Sequence, residues 1–338
     1  MTLLSVCMPS NRKLEASRRA IETALDYCAA RDAFLVVADN SGDAEKREYW
    51  SRNPSRLTYL ATDGFDAARN FLAALGGART PFVMMMGDDD EIAFNAAFKP
   101  VDLASLPADH IGVRPTTQVV TTSRGIVNVQ TFSISADDAV SRILQYIEVA
   151  GETNSAFYSI FRRMPYLDFM ELFAKHHPTK GGYCDWAQVM ALFAYGKMAY
   201  DPSTIFKYNK DQWSTTPQIR KQSARLFVDA GLSDDAKKYE VLLQFLDLFV
   251  FLSRSRSPLA VDETQKALAF VALEYFTLYL REVDKSPEKY SETMRYLTDL
   301  ALKQPDVASR FHIALMMADD IKPGLKNGYI EFYRAAMA

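Results

Sequence analysis

The sequence predicts an α/β domain on a largely parallel sheet, with helices on both faces, followed by an all-helical domain. Two observations carry this. Through the first hundred residues, short apolar runs alternate with amphipathic segments, the pattern of successive βαβ units. From about residue 217 onward the segments instead carry apolar residues at helical spacing. A chain of 338 residues has room for two domains, and 49% apolar with 24% charged residues can bury an ordinary core. The expected division is 1–215 for the α/β domain and 216–338 for the helical one.

Residues 3–8 read as a buried strand and 11–30 as a helix. A second strand, 34–38, is ended by Asp39-Asn40-Ser41-Gly42, residue types that favour a turn. A third covers 57–60, and the helix after it, 65–75, stops at Gly76-Gly77. The fourth strand, 81–86, runs into Gly87-Asp88-Asp89-Asp90-Glu91. Residues 111–120 and 126–133 flank Ser123-Arg124-Gly125 as a hairpin. A helix over 137–149 follows, then a polar segment from Gly151 to Ser155, a strand at 156–161, and helices at 165–176 and 185–195. In the tail, helices are expected at 234–252, 262–283, 287–303 and 307–318, with Ser286-Pro287 as cap and first residue of the third.

Net charge is −3 with Lys and Arg scattered, so the broad electrostatic footprint of nucleic-acid binding is missing and no such partner is expected. The three cysteines, Cys7, Cys28 and Cys184, lie far apart and make no metal-ligand spacing with the four histidines. Free thiols fit a reducing compartment. The start, Met1-Thr2-Leu3-Leu4-Ser5, runs into Pro9 and a charged segment and does not read as a signal peptide. The longest apolar stretch, 241–252, is interrupted by Gln244 and Asp247 and falls short of the ~20 residues a spanning helix needs. A cytoplasmic protein without a transmembrane segment is expected. The apolar face at 242–252 is read as bundle core; any surplus would serve a homodimer interface or peripheral contact with an acceptor lipid.

Asp88-Asp89-Asp90 lies where a buried strand leaves the sheet, and open α/β sheets bind ligands at the carboxyl ends of strands. Three adjacent carboxylates repel one another. A divalent ion such as Mn2+ or Mg2+, which prefers carboxylate and phosphate oxygens, would remove that repulsion. In an extended segment residues i and i+2 face the same way, so Asp88 and Asp90 are expected to address one ligand while Asp89 points elsewhere. The competing reading is a solvated acidic loop or a helix N-cap. The position of the triplet after Phe82-Val83-Met84-Met85-Met86 favours the ligand.

Four stretches, in order and spacing, resemble the family-2 glycosyltransferases of the GT-A fold. Leu4-Ser5-Val6-Cys7-Met8-Pro9-Ser10-Asn11-Arg12 is similar to that family's opening strand and Pro-Thr/Ser-x-x-Arg turn. Val36-Val37-Ala38-Asp39-Asn40-Ser41 resembles its second strand, Phe65-Asp66-Ala67-Ala68-Arg69-Asn70 its "ARN" helix, and 81–90 its DxD strand. The resemblance covers residues 1–95 and, more loosely, 150–213; the tail lies outside it. It implies that Pro9, Ser10, Asn11 and Arg12 hold the nucleoside with Asp39 and Asn40, Asp39 accepting from base or ribose. Arg69 would stand near the nucleotide, its alternative being an ordinary surface Arg. Asp88 would contact the ribose, and Asp90 would bind the ion that bridges the diphosphate. Gly87 replaces a bulky apolar residue of the family and leaves the register of the triplet open by one, so Asp89 is also a candidate.

Transfer from a sugar diphosphate needs a stabilised leaving group and a base for the acceptor hydroxyl. The resemblance puts that base at a helix start in the second half of the domain. Gly181-Gly182-Tyr183-Cys184-Asp185-Trp186 fits, with Asp185 as base and Trp186 to stack on a sugar face; Cys184-Asp185 stands where the family has Glu-Asp, and a plain helix cap is the alternative. Glu152 and Asn154 precede a strand and suit sugar hydroxyls, or form an ordinary turn. Residues 207–213 fall where relatives carry a mobile loop with a His, and no His occurs here. His176-His177 before Pro178 is read as a helix C-terminal cap rather than a metal site.

The expected function is metal-dependent, inverting transfer of a sugar from a nucleotide-diphosphate donor, UDP-sugar favoured, to a saccharide or lipid-linked acceptor, for a bacterial-type surface polysaccharide. Two alternatives stand beside it. A nucleotidyltransferase also places acids and Mg2+ on such a sheet, but usually opens with a Gly-rich loop, and Pro9-Ser10-Asn11-Arg12-Lys13 has no glycine. A non-catalytic sugar- or nucleotide-binding scaffold would not need Asp88, Asp90 and Asp185 together.

Overall fold

The central strand β1 (Leu4–Ser10) is apolar on both faces and is buried along its length, so it must be flanked on both edges. In the computed structural model, which describes residues 2–52, 55–151 and 153–338, its neighbours are β2 (Ala33–Asp39) and β4 (Phe82–Met85), both parallel to it. Beyond β2 lies β3 (Leu57–Ala61), also parallel. The helices α1 (Leu14–Arg31), α2 (Ala44–Ser51) and α3 (Ala67–Gly77) make the crossovers.

The rest of the sheet consists of β5 (Glu91–Phe94), β6 (His110–Thr121), β7 (Gly125–Gln130), β8 (Ile160–Arg162) and β9 (Lys197–Asn209). Among the described residues the order is β3-β2-β1-β4-β8-β6-β9-β5, with β7 added to β6. The β4–β8, β8–β6, β6–β7 and β9–β5 pairs are antiparallel, which corrects the expectation of a mostly parallel sheet to a mixed one. One of these pairs follows from local connection: β6 and β7 are joined by the expected hairpin, with Gly125 at φ 68°, and a hairpin can only pair antiparallel strands. The expected strand at 156–161 begins as a 310 turn, Ser155–Tyr158, and only its end joins the sheet as β8.

The chain divides into two compact units. The first comprises Met1–Ser135, Val149–Ala174 and Gly196–Thr215; the second comprises Ala136–Glu148, Lys175–Tyr195 and Thr216–Ala338. Position 215/216 is one of the boundaries, but 136–148 and 175–195, which the sequence reading leaves in the α/β domain, group with the tail. They contain most of α4 (Ala139–Ala150), the end of α5 (Arg163–His176) and all of α6 (Asp185–Tyr195). Residues 187–195 of α6 are buried on every side, more apolar surface than one sheet face covers. Arg142 of α4 also donates to the carbonyls of Phe193 (3.0 Å) and Ala194 (2.6 Å) at the end of α6.

The second unit adds α7 (Thr216–Val228), α8 (Glu240–Leu252), α9 (Val261–Phe270), α10 (Phe276–Lys285), α11 (Glu292–Leu302), α12 (Val307–Ile321) and α13 (Leu325–Met337). Residues 242–252 of α8 are all buried, and α6, α9, α10, α12 and α13 pack around it. Each such Leu or Phe contributes roughly 1.5–3 kcal/mol of transfer free energy. The expected single helix 262–283 is interrupted by a π turn, Val271–Tyr275, whose freed carbonyls at Ala272 and Leu273 accept from Arg310. Ser286 and Pro287 open only a 310 turn, Pro287–Lys289; the α-helix that follows is capped by Ser291, its Oγ accepting from Met294 N at 2.9 Å. No helix among the described residues is long and apolar enough to cross a membrane.

Candidate functional site

In the order β3-β2-β1-β4 the chain turns back between β1 and β4, and at such a switch point the loops leaving the two strands diverge and open a crevice at their carboxyl ends. The register sets what meets there. Ser10 pairs with Asp39 across β1 and β2, and Cys7 pairs with Met85, so β4 delivers Gly87 and the acidic triplet beside the loop that leaves β1.

Asp88 latches that loop. One carboxylate oxygen accepts from Ser10 Oγ (2.7 Å), Asn11 N (3.1 Å) and Arg12 N (3.0 Å), and the other from Arg12 Nε (3.1 Å). Arg12 also reaches Asp89 at 2.5 Å. Asp90 turns the other way and is 2% exposed. It accepts from Asn209 N of β9 (2.8 Å) and Gly87 N (3.3 Å). The expected pairing of Asp88 with Asp90 therefore does not form. Gly87 to Asp90 is a turn, with Asp90 N on Gly87 O at 3.4 Å, and the i, i+2 rule belongs to extended chain.

Three neighbouring carboxyls are thus in three electrostatic situations. Asp88 has charge-assisted bonds on both oxygens. Burial raises the pKa of Asp89 and the Arg12 guanidinium opposes the rise. Asp90 is pushed up to about 8, chiefly by burial, with the Asn209 amide working against it.

A Cβ on Gly87 would stand 2.7 Å from an oxygen of Asp90 and 3.1 Å from one of Asp89, so two hard oxygen donors converge beside a residue with no side chain. Asp89, not Asp88, is the partner of Asp90 in that convergence.

Asp39, the next of the expected contacts in the first unit, is 3% exposed. It accepts from Ser41 N (3.2 Å), Ser41 Oγ (3.0 Å), Lys46 Nζ (3.0 Å) and the Tyr59 hydroxyl. Pro9 pairs with Ala38 inside the sheet, and the Asn40 amide donates to Phe65 O at 2.8 Å. In the "ARN" helix it is Asn70 that reaches the β1 loop, through Ser10 O at 3.4 Å. Arg69 is 62% exposed, 3.8 Å from Asp66. Asn154 caps the 310 turn with its carbonyl, accepting from Phe157 N at 3.1 Å. Glu152 lies outside the described residues.

Asp185 and Trp186 belong to the second unit. Asp185 is the first residue of α6, following a 310 turn at Gly182–Cys184, and the Trp186 ring lies 6.0 Å from that of Tyr146. His177 does not cap the end of α5: its Nδ1 accepts from Lys180 N (2.9 Å) and Thr179 N (3.3 Å), beyond the helix, and its Nε2 meets Asp247.

Sequence reasoning missed Lys46, Tyr59 and the main chain of Asn209. Lys46 offers one faint signal: it lies in the first turn of α2, where a cation opposes the helix dipole and so needs another reason to be there.

No family model and no curated protein matches the chain. Among solved structures it is similar to Staphylococcus aureus TarS 1-349, at 14% identity and TM-score 0.44, over 92% of this chain and 90% of that one. TarS 1-349 in complex with UDP gives the same values, and in complex with UDP-GlcNAc the TM-score is 0.43.

Proposed function

We propose that the chain is a glycosyltransferase that moves a sugar from a nucleotide-diphosphate donor, UDP-sugar favoured, to a hydroxyl of a saccharide or lipid-linked acceptor. One observation carries the reading: at the β1–β4 switch point a loop bearing Arg12 is latched to Asp88, while Asp90 stays buried beside it with its pKa raised to about 8. What supports function is the place of this carboxyl, at the carboxyl end of a strand beside the loop that leaves β1.

A divalent ion, Mn2+ or Mg2+, held by Asp90 and Asp89 would neutralise charge on the departing diphosphate. The protein supplies the rest. Asp88 fixes the Ser10–Arg12 loop, and the partly exposed Arg12 offers a cation to a phosphate oxygen. Asp185 takes the proton of the acceptor hydroxyl, with inversion at the anomeric carbon; this role rests on its sequence position. Asn154 and Trp186 are the acceptor contacts on the same footing.

The test is a thermal-shift series with UDP, UDP-sugars and free nucleoside triphosphates, each with and without Mn2+. A ligand at one hundred times its Kd stabilises the native state by about 2.7 kcal/mol. Stabilisation by UDP compounds only with Mn2+ is the expected result. A preference for triphosphates would point to nucleotidyl transfer, and silence throughout would leave a scaffold. Asp185→Asn should lower turnover by roughly a hundredfold or more while leaving UDP binding in place; unchanged turnover removes Asp185 as the base.

A further inference from the structure

We infer that Lys46 is a positioning residue of this site, and that Asp39 serves the β1 loop through Lys46 rather than reading a nucleotide base. For its functional consequence this rests on the nucleotide reading above. The Lys46 side chain is fully buried, and its ammonium has three N–H groups. All three are spent: on Ser10 Oγ (2.6 Å), Arg12 O (2.7 Å) and Asp39 Oδ1 (3.0 Å). Ser10 Oγ in turn donates to Asp88 at 2.7 Å. One chain of hydrogen bonds therefore runs from the end of β2 through the loop to the end of β4.

Asp39 is saturated by the same arrangement. Lys46 Nζ and Ser41 N meet one oxygen, and the Tyr59 hydroxyl and Ser41 Oγ meet the other. Two donors per oxygen fill the lone-pair sites of a carboxylate. No site remains for a base N–H or a ribose hydroxyl, the two partners that resemblance gives to Asp39. Stability does not account for the pair either, because apolar residues in place of a buried ion pair are often at least as stable. What the pair provides is a fixed position for residues 10–12.

Amide exchange in the unliganded protein tests the mechanical half of this. In Lys46→Met the amides of Asn11 and Arg12 should exchange about tenfold faster or more, relative to Val6 and Met8 in β1. A general loss of stability would move all four together. Should the lone Asp39 charge prevent folding, K46M/D39N removes both charges and reports on the same amides. Unaltered loop exchange overturns the positioning role.

Titration with UDP and GDP in Mn2+ tests the other half. Lys46→Met should bind UDP about tenfold more weakly. Asp39→Asn should keep the UDP-to-GDP ratio of the wild type; a shift of that ratio by about tenfold would return base reading to Asp39. A wild type that binds neither diphosphate sinks the glycosyltransferase reading, and the exchange result still decides the role of Lys46.

Discussion

Two buried polar clusters in this chain use similar side chains and reach opposite ends. In the α/β unit, Asp39, Lys46, Asp88 and Asp90 gather at strand termini; in the helical unit, His177, Cys184, Asp247 and Tyr329 gather between helices. His177, Cys184 and Asp247 bring ligand atoms within 4.8 Å of one another, a spacing that suits a metal ion. The protons say otherwise. Two main-chain amides point at His177 Nδ1, so the ring carries its hydrogen on Nε2, and that nitrogen donates to Asp247 at 2.8 Å. Tyr329 donates to the same oxygen, and burial holds the Cys184 thiol well above its ordinary pKa. A metal on Nε2 would force the ring hydrogen to Nδ1, against two donors, whereas metal-bound histidines turn that nitrogen toward an acceptor. These bonds lock His177 and one oxygen of Asp247, while Oδ2 of Asp247 is buried without a hydrogen-bond partner among the described residues. Asp90 is the reverse case: among the described residues only the amides of Gly87 and Asn209 donate to it. Each Asp90 oxygen has one main-chain donor and a remaining lone-pair site, at a strand end rather than between helices. Proximity of titratable groups distinguishes nothing until the hydrogens are counted.

Three changes would sharpen or break this contrast. The largest effect is expected at the open cluster. Asp90→Ala should cost on the order of a thousandfold in turnover and abolish the Mn2+-dependent part of the thermal shift. A variant with full activity would make Asp90 an ordinary buried carboxyl. Next is the closed cluster, where His177→Ala leaves buried Asp247 short of a donor and should lower unfolding free energy by about 3 kcal/mol in denaturant titration. A loss below about 0.5 kcal/mol, together with zinc copurifying with the wild type, would turn the lock into a metal site.

The smallest effect is in pH dependence. The folded pKa of Asp90 is raised, from 3.8 to about 8, so the fold binds a proton that the unfolded chain has released. That contribution is complete below about pH 4 and is lost as pH rises toward 8, with a slope of at most about 1.4 kcal/mol per pH unit. In chelator, Asp90→Asn should flatten this decline; an identical pH profile for variant and wild type would mean that Asp90 ionises normally.

Much of the first cluster was legible because strand ends are. Apolar runs mark β1, β2 and β4, and once they pair, Ser10, Asp39 and Asp88 are neighbours whatever their loops do. The conformation of the triplet was not, since three aspartates after a strand read equally well as extended chain or as the turn that forms. Lys46 was illegible as a partner: α2 is short and polar, and nothing in its composition says that one of its charges points inward. β9 was read in part as a loop. Its Asp201-Pro202-Ser203 interruption falls where the β6 register shifts, and Asp201 is held there by Ser203 N and Oγ. The helical lock spans His177 to Tyr329, a separation that no local pattern discloses.

The direct measurement is anomalous scattering from manganese in crystals grown with UDP. The account places the peak against the Asp89 and Asp90 carboxylates beside Gly87, touching the diphosphate. A peak among His177, Cys184 and Asp247, or a bound UDP with no manganese near the end of β4, would contradict it.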